Sequence, residues 1–326
     1  MKYIKFGNTG LKVSQLCLGC MSFGIPTRGN NPWSLDEEDS EKIIQHALKM
    51  GINFFDTANI YSDGTSEEIL GRALKKHAKR EEVVVATKAY FPMFQGPNSK
   101  GLSRKSLFRE IDQSLKRLDM DYVDLYIIHR WDYNTPIEET MKALHDIVQS
   151  GKVRYIGAST MYTWQFQKAQ NIAEKNGWTK FVSMQNLVNL IYREEEREML
   201  PYCVSEEIAV TPWSPFAKGR LTRPKNEETY RSSNDSVGEM FFGTINQSDY
   251  EIISRVGEVA KKYGVSQAQI SLAWLLAKKE ITSPIIGTTS ITQLEDSVKA
   301  LDIVLQEEDT LFLEEPYIPH SIVGFE

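Results

Sequence analysis

The 326-residue sequence predicts a (β/α)8 barrel, and three observations lead to this fold class. Eight short apolar runs alternate with amphipathic helical patterns, which is the element order of a βαβ chain. The runs are continuously apolar rather than alternating, as expected for parallel strands that helices cover on both faces. No Pro-, Gly- or Ser-rich linker divides the chain, so we expect residues 1–326 to form a single domain.

A β-hairpin is predicted ahead of the barrel, because Lys2–Phe6 and Lys12–Gln15 flank the turn sequence Gly7-Asn8-Thr9-Gly10. The eight predicted barrel strands are Leu16–Leu18, Asn53–Phe55, Val83–Ala86, Val123–Ile128, Val153–Gly157, Phe181–Met184, Ala209–Thr211 and Ser283–Ile286. The predicted helices are Asp39–Met50, Ser66–His77, Lys105–Leu118, Ile137–Gln149, Thr163–Lys175, Glu194–Ser205, Asp249–Tyr263, Gln267–Lys278 and Glu295–Leu301. The polar segment Arg223–Gln247 predicts a long loop over one face of the barrel.

The composition is that of a globular protein, with 41% hydrophobic and 25% charged residues. A net charge of -6 argues against a nucleic-acid partner. No apolar run reaches the roughly 20 residues of a membrane helix, and the N-terminus has no secretory signal pattern. We therefore expect a cytoplasmic protein whose partner is a small molecule. The oligomeric state stays open.

Reactive side chains stand where predicted strands end. Asp56 ends the second strand, Lys88 the third and His129 the fourth, and Tyr61 follows Asp56 within a short loop. The carboxyl ends of barrel strands meet at one rim, so these side chains are expected to share a pocket. Singly, each has a structural alternative: a turn cap, a loop aromatic, a surface lysine or a core histidine.

This combination suits proton transfer to a bound small molecule. A buried Lys88 needs a counter-charge, and Asp56 is the expected partner. A lysine cation beside Tyr61 is expected to favour the phenolate and lower the pKa of the phenol, which would make Tyr61 a general acid near neutral pH. Motifs for other kinds of site are absent from the sequence. There is no Rossmann or P-loop fingerprint, and the scattered histidines predict no metal site.

Nearly the whole chain resembles the aldo-keto reductase superfamily. The segments that carry the resemblance are KFGNTGLKVSQLCLGCMSFG, GINFFDTANIYSDGTSEEILGRAL, DYVDLYIIHRWD, KVRYIGAST, SMQNLVNLIYR, TPWSPFAKGRLTR and IIGTTSITQLEDSV. HRWDYNTPIEET and GASTMYTWQF are most similar to the branch related to bacterial and fungal aryl-alcohol dehydrogenases.

The resemblance implies a barrel that binds NADPH without a Rossmann domain and reduces aldehydes or ketones to alcohols. Asp56, Tyr61, Lys88 and His129 match the catalytic tetrad, with Tyr61 as proton donor and His129 orienting the carbonyl. The cofactor-binding residues expected from it are Gly19, Met21, Asp56, Ser159, Gln185, Trp213, Ser214, Phe216, Ala217, Gly219, Leu221, Gly287, Thr289, Gln293 and Asp296. The expected substrate-binding residues are Phe23, Tyr61, Tyr90, His129 and Trp131.

Some positions depart from the family pattern. Thr160 follows Ser159 where much of the family has Ser-Asn, and positions 288–291 hold no Arg or Lys for a 2′-phosphate. The missing basic residue weakens the preference for NADPH, but hydroxyls and backbone N–H groups at the start of the last helix offer another way to bind a phosphate. NADPH remains the expected cofactor, with NADH as the alternative. Two other functions stay open: a nicotinamide-binding regulatory or redox-sensing barrel, and sugar or sugar-phosphate carbonyl chemistry with Arg130, Arg193 or Lys218 as phosphate partners.

Overall fold

The computed structural model describes residues 1–29, 31–224, 234 and 245–325. The predicted loop Arg223–Gln247 lies mostly outside the described residues. In the described part, a two-stranded sheet precedes an eight-stranded parallel sheet that is surrounded by helices. The (β/α)8 fold class and its N-terminal hairpin are thus confirmed.

The strands are short, and those of the barrel are mostly buried. The hairpin strands are β1 (Tyr3–Lys5) and β2 (Lys12–Ser14). The barrel strands are β3 (Cys17–Gly19), β4 (Phe54–Asp56), β5 (Val84–Ala89), β6 (Val123–Ile128), β7 (Val153–Ser159), β8 (Phe181–Gln185), β9 (Ala209–Val210) and β10 (Ile285–Gly287). The helices are α1 (Glu37–Lys49), α2 (Thr65–His77), α3 (Arg104–Leu118), α4 (Ile137–Gln149), α5 (Thr163–Asn176), α6 (Met199–Ser205), α7 (Gln247–Tyr263), α8 (Gln267–Leu276), α9 (Ile291–Lys299) and α10 (Glu307–Glu314).

The barrel sheet has the order β10-β3-β4-β5-β6-β7-β8-β9, and every pair in it is parallel. Its two edges are joined by backbone hydrogen bonds just outside the strands. Ser283 N donates to Val210 O at 3.2 Å, and Ile285 N donates to Pro212 O at 2.8 Å. These bonds close the sheet, so the carboxyl ends of all eight strands face one rim.

The hairpin covers the opposite end of the barrel. Phe6 packs edge-on against Phe54 at a ring distance of 5.6 Å, and both belong to a buried cluster inside the barrel. Gly7 has φ +58°, and a Cβ there would lie 2.7 Å from Ala209 N. Only glycine fits this close approach without strain, so the turn can rest on β9.

Two helical predictions need correction. The predicted helix Glu194–Ser205 is split into a 3-10 turn, Glu194–Glu196, and α6. Pro201 explains the break, because it has no N–H for a helical bond and is tolerated only in the first turn of a helix. The predicted helix Glu295–Leu301 begins earlier, at Ile291, where the Ser290 side chain accepts from Gln293 N as the N-cap. The sequence reading also missed α10 entirely.

Candidate active site

Strand geometry brings Asp56, Lys88 and His129 to one rim. Asp56 is the last residue of β4 and pairs with Ala86 of β5, two residues before Lys88. His129 directly follows β6, and its backbone N–H donates to Ala89 O of β5 at 3.0 Å. These three positions are therefore fixed by neighbouring ladders of one sheet.

The Lys88 side chain is completely buried, and its ammonium makes three hydrogen bonds. It forms an ion pair with Asp56 Oδ1, donates to Thr57 O at 2.8 Å and donates to Tyr61 Oη at 3.3 Å. Burial works against the charged form, but Asp56 and Tyr61 outweigh it and raise the pKa of Lys88. The expected Lys88–Asp56 pair is present, with Tyr61 in contact with it.

The prediction for Tyr61 requires a correction. Burial raises the pKa of the Tyr61 phenol above its usual value, and the Asp56 carboxylate adds to the rise. Lys88 and Arg130 lower the pKa as expected, but their effect is smaller than that of burial. Tyr61 is therefore a protonated phenol at neutral pH, available as a proton donor rather than as a phenolate.

Tyr61 is the first residue of a turn that connects β4 to α2. Ser62, Asp63 and Gly64 all have left-handed backbone, with φ of +45°, +55° and +85°. Thr65 Oγ1 donates to Ser62 O at 2.7 Å and closes the turn. Left-handed backbone at the two non-glycine residues, Ser62 and Asp63, is costly in isolation, so the surrounding contacts must maintain this conformation.

His129 lies beside the phenol, with a ring distance of 6.0 Å to Tyr61 and 5.0 Å to Phe91. Burial, and then the cations Lys88 and Arg130, lower the pKa of His129 well below its usual value. The ring is therefore neutral at pH 7. Its Nδ1 atom is buried and has no hydrogen-bond partner within the described residues. The Arg130 guanidinium donates to His129 O at 2.6 Å.

The residues expected to bind a carboxamide lie across the barrel from Asp56. Ser159 ends β7, Gln185 ends β8, and Trp213 forms a single β-bridge with Leu187 shortly after β9. Gln185 Nε2 donates to Asp56 Oδ2 at 3.0 Å, across the barrel from β8 to β4. Their amide, hydroxyl and indole groups fit a planar amide-bearing ring at this place in the barrel.

The loop after β9 was expected to hold a pyrophosphate. It contains left-handed residues at Ser214, Ala217, Lys218 and Gly219, with φ of +52°, +46°, +57° and +88°. Ala217 N donates to Ser214 O, and Gly219 N donates to Phe216 O, so the loop is bonded within itself. Ala217 and Leu221 have no exposed surface, so these two expected cofactor-binding residues fix the loop from within.

The expected adenosine end lies at the start of α9. Gln293 Oε1 accepts from Thr289 N at 2.9 Å, and Asp296 accepts from the Ser266 hydroxyl. A Cβ built on Gly287 would contact nothing within 4 Å. On the other side of the rim, the expected residue Gly19 ends β3 and Met21 lies two positions later. Asn31 Nδ2 donates to Met21 O at 3.5 Å.

The expected substrate-binding aromatics differ in exposure. Phe23 has no exposed surface and packs in the main core, so it fixes a loop rather than lining an open surface. Tyr90 is partly exposed and packs edge-on against Phe91 at 5.3 Å. Trp131 is 8% exposed and lies 6.2 Å from the Trp164 ring. Phe91 in turn packs against the His129 ring, so Tyr90 and Phe91 form an aromatic pair beside the histidine.

A model of the aldo/keto reductase family matches residues 15–315. The chain belongs to this family. A putative aryl-alcohol dehydrogenase of Schizosaccharomyces pombe is 46% identical over 98% of the chain and 96% of its own length. A versiconal hemiacetal acetate reductase of Aspergillus parasiticus is 44% identical over 99% and 98%, and the putative aryl-alcohol dehydrogenase AAD16 of Saccharomyces cerevisiae is 40% identical over 98% of both chains.

The family membership establishes this aldo/keto reductase as an oxidoreductase of carbonyl compounds and their alcohols, acting on a small molecule and using NAD(P)H as the family generally does. Among the described residues, no helix is long and apolar enough to cross a membrane. The same residues contain no group of three or more His, Cys, Asp or Glu side chains suited to a metal ion.

Sequence reasoning missed three features of this reductase site. These are the hydrogen bond from Gln185 to Asp56, the left-handed turn after Tyr61, and the hydrogen bond of 3.2 Å from Trp213 to Thr160. Gly64 was a usable signal for the turn, because glycine favours positive φ. The other two join residues more than 50 positions apart, and no local pattern reports such contacts.

Proposed function

We propose that this aldo/keto reductase reduces aldehydes or ketones to alcohols with NADPH, using Tyr61 as the general acid. The observation that carries the proposal is the buried Lys88 ammonium, which contacts both Asp56 and Tyr61 Oη. A carbonyl oxygen placed within hydrogen-bond reach of Tyr61 Oη would receive its proton from this phenol.

Reduction of a carbonyl group to an alcohol requires one hydride and one proton. A bound reduced nicotinamide would supply the hydride, and so both electrons, that reduction of a carbonyl carbon needs. The carbonyl oxygen gains negative charge as the C=O π bond breaks, and Tyr61 gives it the phenolic proton. Lys88 stabilises the phenolate that remains, and neutral His129 orients the carbonyl without competing as an acid. The product alcohol leaves, and Tyr61 regains a proton from solvent.

For the cofactor, we propose that Ser159 and Gln185 hold the carboxamide and that the Trp213 indole stacks on the ring. The 214–221 loop would face the pyrophosphate, and the start of α9 the adenosine phosphate. Hydroxyls and N–H groups at a helix N-terminus favour an anion, which keeps NADPH ahead of NADH despite the missing basic residue at 288–291.

Aromatic carbonyl compounds are the proposed substrate class. Two of the relatives described above are named as putative aryl-alcohol dehydrogenases, and the aromatic pair Tyr90 and Phe91 packs beside His129. Apolar and aromatic walls with few polar groups suit an aryl ring. We further propose a single domain over residues 1–326, a cytoplasmic location and no nucleic-acid or membrane partner.

The first experiment follows loss of reduced-nicotinamide absorbance with an activated aromatic aldehyde, supplying NADPH and NADH in parallel. Tyr61→Phe is expected to lower kcat by about 10²- to 10⁴-fold, the contribution of a general acid. Tyr3→Phe is the matched control, because the Tyr3 hydroxyl bonds to Gly51 O far from the rim. Equal turnover by wild type and Tyr61→Phe would remove Tyr61 from the mechanism.

The same assay separates the other functions. Tight binding of both nucleotides with no turnover of aldehydes, ketones or sugars would favour a regulatory or redox-sensing barrel. Faster turnover of sugar phosphates than of aryl aldehydes would favour sugar-phosphate chemistry. A kcat/KM that is higher with NADH than with NADPH would contradict the proposed cofactor preference.

A further inference from the structure

Thr160 adopts an unusual backbone conformation at the proposed cofactor site. It follows β7 directly, is almost fully buried and has φ +51°. Left-handed backbone is rare for β-branched residues, whereas asparagine adopts it several times more often. Strain of this kind persists only where neighbouring contacts hold it, and it is frequent at functional sites. Contacts of the Thr160 hydroxyl are therefore expected to help hold this conformation.

The hydroxyl lies in a chain of hydrogen bonds whose direction can be assigned. Trp213 Nε1 donates to Thr160 Oγ1 at 3.2 Å, Thr160 Oγ1 and Ser159 Oγ are 3.1 Å apart, and Ser159 Oγ donates to Gln185 O at 2.9 Å. An indole N–H can only donate and a carbonyl oxygen can only accept. Since the Ser159 proton goes to Gln185 O, Thr160 donates its own proton to Ser159 and accepts from Trp213.

Gln185 extends the chain to the proton-transfer residues. Its Nε2 donates to Asp56 Oδ2 at 3.0 Å, and this orientation of the amide is fixed because a carboxylate accepts only. The other carboxylate oxygen accepts from Lys88, which reaches Tyr61 Oη. The indole of Trp213 is therefore connected with the phenol of Tyr61 by a series of hydrogen bonds that passes through the backbone and the side chain of Gln185.

We propose that Thr160 is a positioning residue that fixes the indole of Trp213 and orients the Ser159 hydroxyl at the carboxamide site. Both hydroxyl protons are used within the chain, so Thr160 and Ser159 present oxygen lone pairs to a ligand. Gln185 Nε2 keeps a second N–H. Acceptors beside a donor suit a primary carboxamide, whose NH2 would face the hydroxyls and whose oxygen would face Gln185. This ligand assignment rests on the proposed function; the indole bond does not.

Two variants separate the hydroxyl from the backbone strain. Thr160→Val removes the oxygen but keeps the β-branched shape, and so keeps the strain at φ +51°. Thr160→Ser restores the hydroxyl with less bulk at Cβ. Both are compared with wild type by thermal unfolding, which shows whether either variant has lost its fold.

The first readout is the Trp213 indole N–H resonance in nucleotide-free protein labelled with 15N-tryptophan. The chain has six tryptophans, and Trp213→Phe assigns the resonance by its absence. Thr160→Val is expected to shift this resonance and speed its exchange with solvent, whereas Thr160→Ser retains the wild-type behaviour. An unchanged resonance in folded Thr160→Val would overturn the proposal. This readout needs no turnover, so it is independent of the proposed carbonyl reduction.

The second readout is the Kd of NADP+ measured by calorimetry. Thr160→Val is expected to raise it about tenfold, the effect of one lost hydrogen bond, and Thr160→Ser to restore it within about twofold. A tenfold rise that Thr160→Ser does not rescue would contradict a role for the hydroxyl. An altered indole resonance with an unchanged Kd would overturn the assignment to the carboxamide site.

Discussion

At the scale of single residues, the environment of Lys88 accounts for most of the site's electrostatics. Its ammonium is completely buried, and all three hydrogen-bonding directions are used by Asp56, Thr57 O and Tyr61 Oη. Removing one member of a buried ion pair leaves the other charge without compensation, which costs far more than the net value of the pair.

Lys88→Met is expected to lower the free energy of unfolding at pH 7 by about 3–5 kcal/mol, because the Asp56 carboxylate would stay buried with Gln185 as its remaining side-chain donor among the described residues. The Lys88→Met/Asp56→Asn double variant removes both charges and should recover a large part of this loss. Urea unfolding of the three proteins measures both effects. A single variant as stable as wild type would show that the pair contributes nothing to stability.

At the scale of elements, the position of α2 depends on its close contact with α3. A Cβ built on Gly71 of α2 would lie 2.1 Å from the backbone oxygen of Leu118, at the end of α3. Because α2 begins directly after the turn that holds Tyr61, a shift of this helix would also move the phenol. The glycine is needed here for space, since no positive φ is recorded for it.

Gly71→Ala is expected to destabilise the protein by about 1–3 kcal/mol through overpacking, although alanine has the higher helix propensity. Gly257→Ala in α7 is the matched control. Its Cβ would meet only the end of the flexible Gln267 side chain, at 2.6 Å, so it should be neutral or stabilising by up to about 1 kcal/mol. Comparable urea midpoints for Gly71→Ala and wild type would refute the steric argument.

At the scale of the whole molecule, a buried carboxyl group links stability to pH. Glu195 lies in the 3-10 turn Glu194–Glu196 and is buried. Burial, together with the neighbouring Glu194, raises the pKa of Glu195 to about 8. Asn186 Nδ2 donates to Glu195 Oε2 at 3.0 Å. Asn186 Oδ1 is buried without a hydrogen-bond partner among the described residues, so a protonated Glu195 offers a donor next to an unsatisfied acceptor.

The sign of the pH effect follows from the two pKa values. In the unfolded chain Glu195 loses its proton near pH 4.3, whereas in the folded protein it keeps it until about pH 8. Its contribution to stability is therefore full below pH 4.3 and falls as the pH rises towards 8, by at most about 1.4 kcal/mol per pH unit.

Glu195→Gln keeps the shape without the titration, so its free energy of unfolding should fall less than that of wild type between pH 5 and 8. The exposed Glu258→Gln serves as the control and should follow wild type. Urea unfolding at several pH values tests this, and parallel curves for wild type and Glu195→Gln would exclude a raised pKa.

Local patterns in the sequence were enough to predict the barrel and the position of its reactive groups along the chain. Continuous apolar runs specify buried parallel strands, and the side chain that ends each run must lie at the carboxyl rim. Asp56, Lys88 and His129 were predictable for this reason, because strand periodicity is a local property. Strand limits differed by a few residues, since strand ends depend on the neighbouring strand as well as on propensity.

The protonation states and contacts of these groups depend on the closed fold. Burial outweighs Lys88 and raises the pKa of Tyr61, and a bond across the barrel joins Gln185 of β8 to Asp56 of β4. The hydrogen bond from Trp213 to the left-handed Thr160 and the burial of Glu195 likewise depend on residues far apart in the chain. Desolvation and contacts across the barrel are properties of the closed fold, so no local pattern of residues reports them.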